Sequence, residues 1–189
     1  MIKYLIEIDH KWFSIINSWH SEALDATIIF ISDKSWYIVL GLILVASILK
    51  LKSKFYHILI MIGLAWGLAD LVSTRVFKDN FKRLRPCHSI RHKDAYKPAN
   101  YSCGGQYGFV SSHAANSTAI VTLVLVAFGS YYRFLTIPWL VLVCYSRIYL
   151  ARHYPADLLG GVLVGILCGL LVWKTITLLL KKYELDKIS

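Results

Sequence analysis

Lys78, Arg85, His113, Arg147, His153 and Asp157 are residues whose types, taken together, suit chemistry on a phosphoryl group. They fall in three clusters: "KDNFKRLRP" from Lys78 to Pro86, "VSSH" from Val110 to His113, and "SRIYLARHYPAD" from Ser146 to Asp157. Phosphoryl transfer is catalysed largely by positioning and by neutralising charge on equatorial oxygens, which fixed cations can do. Lys78 offers a point charge, while Arg85 and Arg147 offer planar forks that match phosphate oxygens. Arg147 lies at the outer end of an apolar segment. A cation there costs up to about 3 kcal/mol on insertion scales, so a functional partner is expected for it.

The histidines and the carboxylate extend this reading. Pro155 suits the first turn of a helix, where its missing N–H costs nothing. Asp157 then lies in that same turn, four residues after His153. Its carboxylate can reach back to hold one ring nitrogen protonated, leaving the other free to attack. Ser111 and Ser112 supply N-cap hydroxyls and free backbone N–H groups at a helix start, a natural anion site. His113 beside them is placed to protonate a departing oxygen and then to activate water against a phosphohistidine. With these cations no divalent metal is needed. No ligand spacing suggests one either, since His88, His92 and Asp94 read as a solvated loop. Neither a cofactor nor a nucleic-acid partner is expected.

These residues need elements to hold them, and the composition says which kind. The chain has 189 residues, enough for one domain over 1–189, and 57% of them are hydrophobic, outside the usual soluble range. Apolar stretches at 35–50, 55–77, 113–131, 134–151 and 156–180 approach the length a bilayer core demands, and in lipid only helix satisfies their backbones. Residues 2–19 place Leu5, Ile8, Trp12, Ile15, Ile16 and Trp19 at helical spacing, as an interfacial amphipathic helix over 1–20 would. Glu7, Asp9, His10 and Lys11 interrupt that segment before a signal-peptide core could form. Residues 23–31 are apolar but too short to span unaided. The expected fold is therefore an all-α membrane bundle: five long spans, a short or broken N-terminal segment completing a six-helix core, and an interfacial helix.

Residues 78–112 form a polar loop broken by Pro86, Pro98, Gly104, Gly105 and Gly108. Crossing and returning through the next two spans brings this loop, His113 and the segment near residue 150 to one membrane face. The net charge of +10 is concentrated in the loop, where seven cations fall between Lys78 and Lys97, and this points to an anionic partner. The positive-inside bias is then nearly a tie. Discounting the loop cations as held for chemistry leaves Lys50, Lys52, Lys54, Arg133, Lys181, Lys182 and Lys187 on the cytoplasmic side. Cys87 and Cys103 flank the loop and could pair in an oxidising compartment or stay as two free thiols. Asp70 should face the bundle in a structural hydrogen bond, and Gly160, Gly161, Gly165 and Gly169 suggest a close helix-packing face.

The patterns K-x6-RP, S-x-H and SR-x5-H-x3-D, in this order, resemble the signature motifs of the type 2 phosphatidic acid phosphatase superfamily of membrane lipid phosphatases. The resemblance covers about residues 55–180. It implies that Lys78, Arg85 and Arg147 bind phosphate, that His153 is the nucleophile oriented by Asp157, and that His113 is the general acid. It also implies a site at the outer, periplasmic face of an inner membrane and a lipid phosphate as substrate: undecaprenyl diphosphate, phosphatidylglycerol phosphate, phosphatidic acid or lipid A phosphate. Ser112 departs from the family's usual glycine and adds a side chain beside the phosphate site. Two other readings compete. Vanadate-dependent haloperoxidases share the cage but are typically soluble and larger, and a silent anionic-lipid binder would need only the cations.

Overall fold

The computed structural model describes residues 1–33, 55–98 and 101–186, together with the single positions 38, 41, 42 and 45. Apart from those four positions, the expected span at 35–50 lies outside the described residues, as do the Lys-rich turn after it and Lys187. Within them every named element is helical. The six main helices are α1 (Ile2–Asn17), α2 (Asp25–Asp33), α3 (Phe55–Leu71), α4 (Ser112–Phe128), α5 (Arg133–Tyr149) and α6 (Pro155–Asp186). An isolated antiparallel bridge, Leu84 to Tyr107, pins the long loop back on itself.

Helix α3 continues through a π-helical turn, Val72–Lys78, and a last α-turn, Asp79–Phe81. The stretch Tyr56–Phe81 and the stretch Pro155–Tyr183, with mean hydropathies of 1.6 and 2.2, are long and apolar enough to cross a bilayer. Helix α4 is shorter and sits in the middle. Its Ala115, Ala119, Ile120 and Leu123 form one core with Ile58, Met61, Ala65 and Ala69 of α3 and with Val164, Cys168 and Val172 of α6.

Helix α6 divides its faces by residue size. Leu159, Leu163, Leu167 and Leu171, each four residues apart, are 57–68% exposed. On the packed side, a methyl added at Gly161 would lie 2.6 Å from the carbonyl oxygen of Ser111, and one at Gly169 would lie 2.9 Å from that of Ala119. Only glycine admits this approach between α4 and α6, the small-residue packing that membrane helices use in place of a hydrophobic drive. A stripe of bare leucines is costly in water and neutral in lipid, so it marks the bilayer-facing side.

Helix α1 forms as expected, but the residues that dock it differ from the apolar stripe. Asp9, Phe13 and Asn17, at four-residue spacing, are buried against the body, while Tyr4, Leu5, Trp12 and Trp19 are exposed. Asn17 explains the choice. Its amide nitrogen donates to the carbonyls of Tyr96, Ile148 and Tyr149 at 3.0 to 3.1 Å, and its oxygen accepts the Tyr96 N–H at 2.8 Å. Two of these acceptors lie at the C-terminal end of α5, where carbonyls have no partner within the helix. A polar docking stripe thus frees the apolar faces of α1 to meet something other than this protein. Asp70, half-buried in α3, accepts a hydrogen bond from the amide of Asn116 in α4 at 3.2 Å, the bundle-facing role foreseen for it.

Candidate active site

Helix ends and the long loop bring the three clusters together. The N-terminus of α6 is the best-defined part. Tyr154 is its N-cap and Pro155 its first residue, so Asp157 occupies the third position, from which its Oδ2 accepts the Tyr154 N–H at 2.9 Å. The other oxygen, Oδ1, accepts from Arg83 Nη1 at 2.8 Å. Asp157 is fully buried and His153 almost so.

The His153 Nδ1 faces Asp157 Oδ2 at 3.6 Å, an electrostatic contact rather than a hydrogen bond, and Nδ1 has no hydrogen-bond partner among the described residues. The reach-back of Asp157 to His153 is therefore seen as direction and proximity. Its oxygens are meanwhile engaged by Arg83 and the helix cap. Nε2 is the nitrogen turned away from the carboxylate. Burial, followed by the charges of Arg85, Arg147, Lys78 and Arg152, holds the His153 imidazole well below its ordinary pKa of 6.5. His153 is thus neutral near pH 7, the form a nucleophile requires.

Each cation is held by a different element. Lys78 closes the π-helical turn, and its Nζ donates to Ser112 Oγ at 2.6 Å. Ser112 Oγ also meets Ser73 Oγ at 2.7 Å. The serine that stands in place of the family's glycine therefore turns its hydroxyl to Lys78. π-Turns inside α-helices often occur at functional sites, and this one turns Ser73 and Lys78 toward the start of α4. Ser111 is the N-cap of α4, its hydroxyl accepting the Ala114 N–H at 3.4 Å, and its own N–H donates to the Asp157 carbonyl at 2.9 Å.

Arg85 is held in the loop by the carbonyls of Tyr107 (Nε, 3.2 Å) and Cys103 (Nη1, 3.1 Å). Burial, with the nearby charge of Arg152, lowers it to about 10, still cationic near neutrality. Cys103 faces Cys87 as a disulfide pair with Cα atoms 6.3 Å apart, one residue beyond the Arg85–Pro86 step. Arg147, 1% exposed, donates to the Ser32 hydroxyl and lies 3.9 Å from Asp33 Oδ1. The short segment α2 thereby supplies the partners an apolar-segment arginine needs. His113, in the first turn of α4, lies in the field of the Arg147, Arg152 and Lys78 charges. Cys87, His88 and Cys103 are the described residues whose side chains cluster within 4.8 Å as metal ligands would. Pairing of the two sulfurs leaves His88 alone.

Comparison with known proteins identifies the family. Residues 38–180 match the family model described as the PAP2 superfamily. The chain belongs to the PAP2 superfamily. It is 32% identical over 178 residues to the lipid A 4'-phosphatase of Porphyromonas gingivalis, covering 92% of this chain and 75% of the relative. Identity is 30% over 175 residues to the enzyme of the same name from Bacteroides thetaiotaomicron, covering 87% and 75%. Among solved structures, the transmembrane PAP2 type phosphatidylglycerolphosphate phosphatase of Bacillus subtilis superimposes with a TM-score of 0.67 at 19% identity, over 91% of this chain and 86% of that one. Aquifex aeolicus LpxE gives 0.64 at 23% identity, over 87% and 93%. The protein is accordingly an integral membrane PAP2 phosphatase with the helical fold of those structures.

Several residues of this PAP2 site carry no mark in its motifs. Gly108 lies beneath the pair, where an added methyl would sit 3.1 Å from Asp157 Oδ2 and 3.5 Å from His153 Nδ1. Sequence shows it only as a loop glycine. Asp9 and Arg83 are joined by an ion pair at 2.5 Å although 74 residues separate them, a distance no local pattern reports. Arg152, between the motif residues Arg147 and His153, donates its guanidinium to the Ser102 carbonyl and lies 4.4 Å over the Tyr101 ring.

Proposed function

We propose that this protein removes a phosphate from a lipid headgroup through a phosphohistidine on His153. The observation that carries the reading is the buried, neutral His153 beside Asp157, with the charges of Arg85, Arg147 and Lys78 acting on it. Those cations, with the N–H groups at the start of α4, take the three equatorial oxygens. His153 Nε2 then attacks phosphorus in line, and the bond to the lipid oxygen breaks as His113 donates its proton to that oxygen. In the second step the now neutral His113 takes a proton from water, the hydroxyl attacks phosphorus, and the P–N bond breaks to release inorganic phosphate and free His153. Charge neutralisation comes from side chains, so the cycle runs without a divalent metal.

The relatives favour a phosphorylated glycolipid of the lipid A type over the other lipid phosphates. Two of them, about a third identical across most of this chain, bear the name lipid A 4'-phosphatase. The site faces the outer, oxidising side of the inner membrane, a placement supported by the Cys87–Cys103 pairing beside Arg85. The exposed Trp12 of α1 and Trp19 just beyond it rest at headgroup level there.

The test is phosphate release by the purified protein, with chelator present, from lipid A, phosphatidylglycerol phosphate, phosphatidic acid and undecaprenyl diphosphate. The expected order places lipid A first. Release that depends wholly on added divalent metal would overturn the mechanism, and a preference for undecaprenyl diphosphate would overturn the substrate class.

A further inference from the structure

Asp157 is fully buried and carries a charge, yet its contact with His153 is too long to hold it in place. Its orientation must come from elsewhere. The Tyr154 N–H fixes Oδ2, and Arg83 and Asp9 fix the other oxygen through a closed set of contacts. Arg83 Nη1 donates to Asp157 Oδ1 at 2.8 Å, and Nη2 donates to Asp9 Oδ2 at 2.5 Å. The other Asp9 oxygen accepts the Ala156 N–H at 2.8 Å, capping the helix that carries Asp157. Arg83 is three-quarters buried, and its guanidinium lies 4.2 Å over the ring of Tyr154, which follows His153 in the chain.

Accepting the catalytic reading of His153 and Asp157 given above, we propose that Arg83 is a positioning residue for this enzyme. In this role Asp9 locks the Arg83 guanidinium and links the seating of α1 to the readiness of the nucleophile. Both Nη nitrogens of Arg83 are engaged by carboxylates, so its charge is already matched within the protein. A carboxylate that loses its buried partner must move or take up a proton. Either change removes the group that steadies His153 as it becomes cationic during attack. Asp9 belongs to the helix that leaves Tyr4, Leu5 and Trp12 exposed, so release of α1 from the body disengages Arg83 as well.

The experiment uses the full-length chain in detergent micelles, with kinetics on lipid A and on phosphatidic acid. Arg83→Ala lowers kcat by about 30-fold with KM within about threefold, the pattern of an interaction used in the transition state. Asp9→Asn, which leaves the Arg83 charge in place but loosens it, lowers kcat by about tenfold with KM again preserved. In an Asp157→Asn background, Arg83→Ala costs less than about threefold more, because the contact it serves is already gone. The inference is overturned if Arg83→Ala raises KM at constant kcat. The full loss recurring on Asp157→Asn overturns it too, since that describes a structural role. Should Arg83→Ala fail to fold, Arg83→Lys and Asp9→Asn decide by the same split of kcat from KM. Wild-type turnover in both His153→Ala and Asp157→Asn would remove the underlying reading. Loss in those two, with none in Arg83→Ala or Asp9→Asn, removes this inference alone.

Discussion

Gly108 offers a graded probe of how tightly His153 and Asp157, the proposed catalytic pair, are placed. A methyl built on it lies 3.1 Å from Asp157 Oδ2, 3.3 Å from Arg85 Cγ and 3.5 Å from His153 Nδ1. The first two approaches are tighter than ordinary van der Waals contact, so Asp157 or Arg85 must give by a few tenths of an ångström. Misplacement by a full ångström costs roughly a hundredfold in rate, so Gly108→Ala is expected to lower kcat by about three- to tenfold, near 1 kcal/mol in the barrier. Gly108→Val adds two more carbons in the same space and is expected to lose on the order of a hundredfold. Thermal melting in detergent should move little for the alanine variant, since the added group touches the site rather than the bundle core. The assay is steady-state phosphate release with melting curves on the same samples. Wild-type kcat in both variants would refute the placement of His153 and Asp157 against this loop.

Other predictions address packing, charge and the loop. Gly161→Ala sets a methyl 2.6 Å from the Ser111 carbonyl, which as backbone cannot step aside; thermal or denaturant unfolding should show a loss of about 1–3 kcal/mol, and an unchanged stability would deny the close approach of α4 and α6. Because His153 is held below its ordinary pKa of 6.5 in the folded enzyme, the unfolded chain binds the extra proton. The contribution of His153 to stability is therefore complete above about pH 6.5 and declines as pH falls below it, by up to about 1.4 kcal/mol per pH unit. Melting from pH 8 to pH 5 checks this, and His153→Gln should flatten the decline. Replacing Cys87 and Cys103 together by serine opens a crosslink spanning 16 residues and should cost about 3 kcal/mol. The same change frees the Cys103 carbonyl that holds Arg85, so KM should rise several-fold while kcat stays close to wild type. A pair of thiols that label fully without reductant would contradict the bridge.

Much of the site was legible because it is built from helix ends, where position in sequence translates directly into position in space. Pro155 announces the start of α6, and from it the burial of Asp157 in the first turn follows. Ser111 likewise announces α4, as the cap hydrogen bond to Ala114 shows. The glycine spacing of α6 foretold its contact face, since small residues at four-residue intervals can serve only a close neighbour. What escaped the sequence depends on contacts between distant segments. Asp9 reads as one polar residue on an amphipathic helix, and nothing local says that it meets Arg83 and Ala156. The docking stripe of α1 is silent in the sequence for the same reason. Hydrophobic periodicity reports which side prefers lipid, whereas Asn17 is buried by carbonyls left unpaired at the end of another helix. Gly108 escaped because a glycine needed for room resembles one needed for a turn. Ser112 shows the reverse case, a departure from the motif that acquires its own partner in Lys78.

The central claim is that phosphate passes through His153. Its most direct test is rapid quenching of the wild-type protein with a lipid substrate carrying radiolabelled phosphate, followed by peptide mapping. The expected result is label on the peptide containing His153, stable in base and lost in acid, and absent from His153→Ala, which also releases no phosphate. Label on a different residue, or phosphate release by His153→Ala at the wild-type rate, would contradict it.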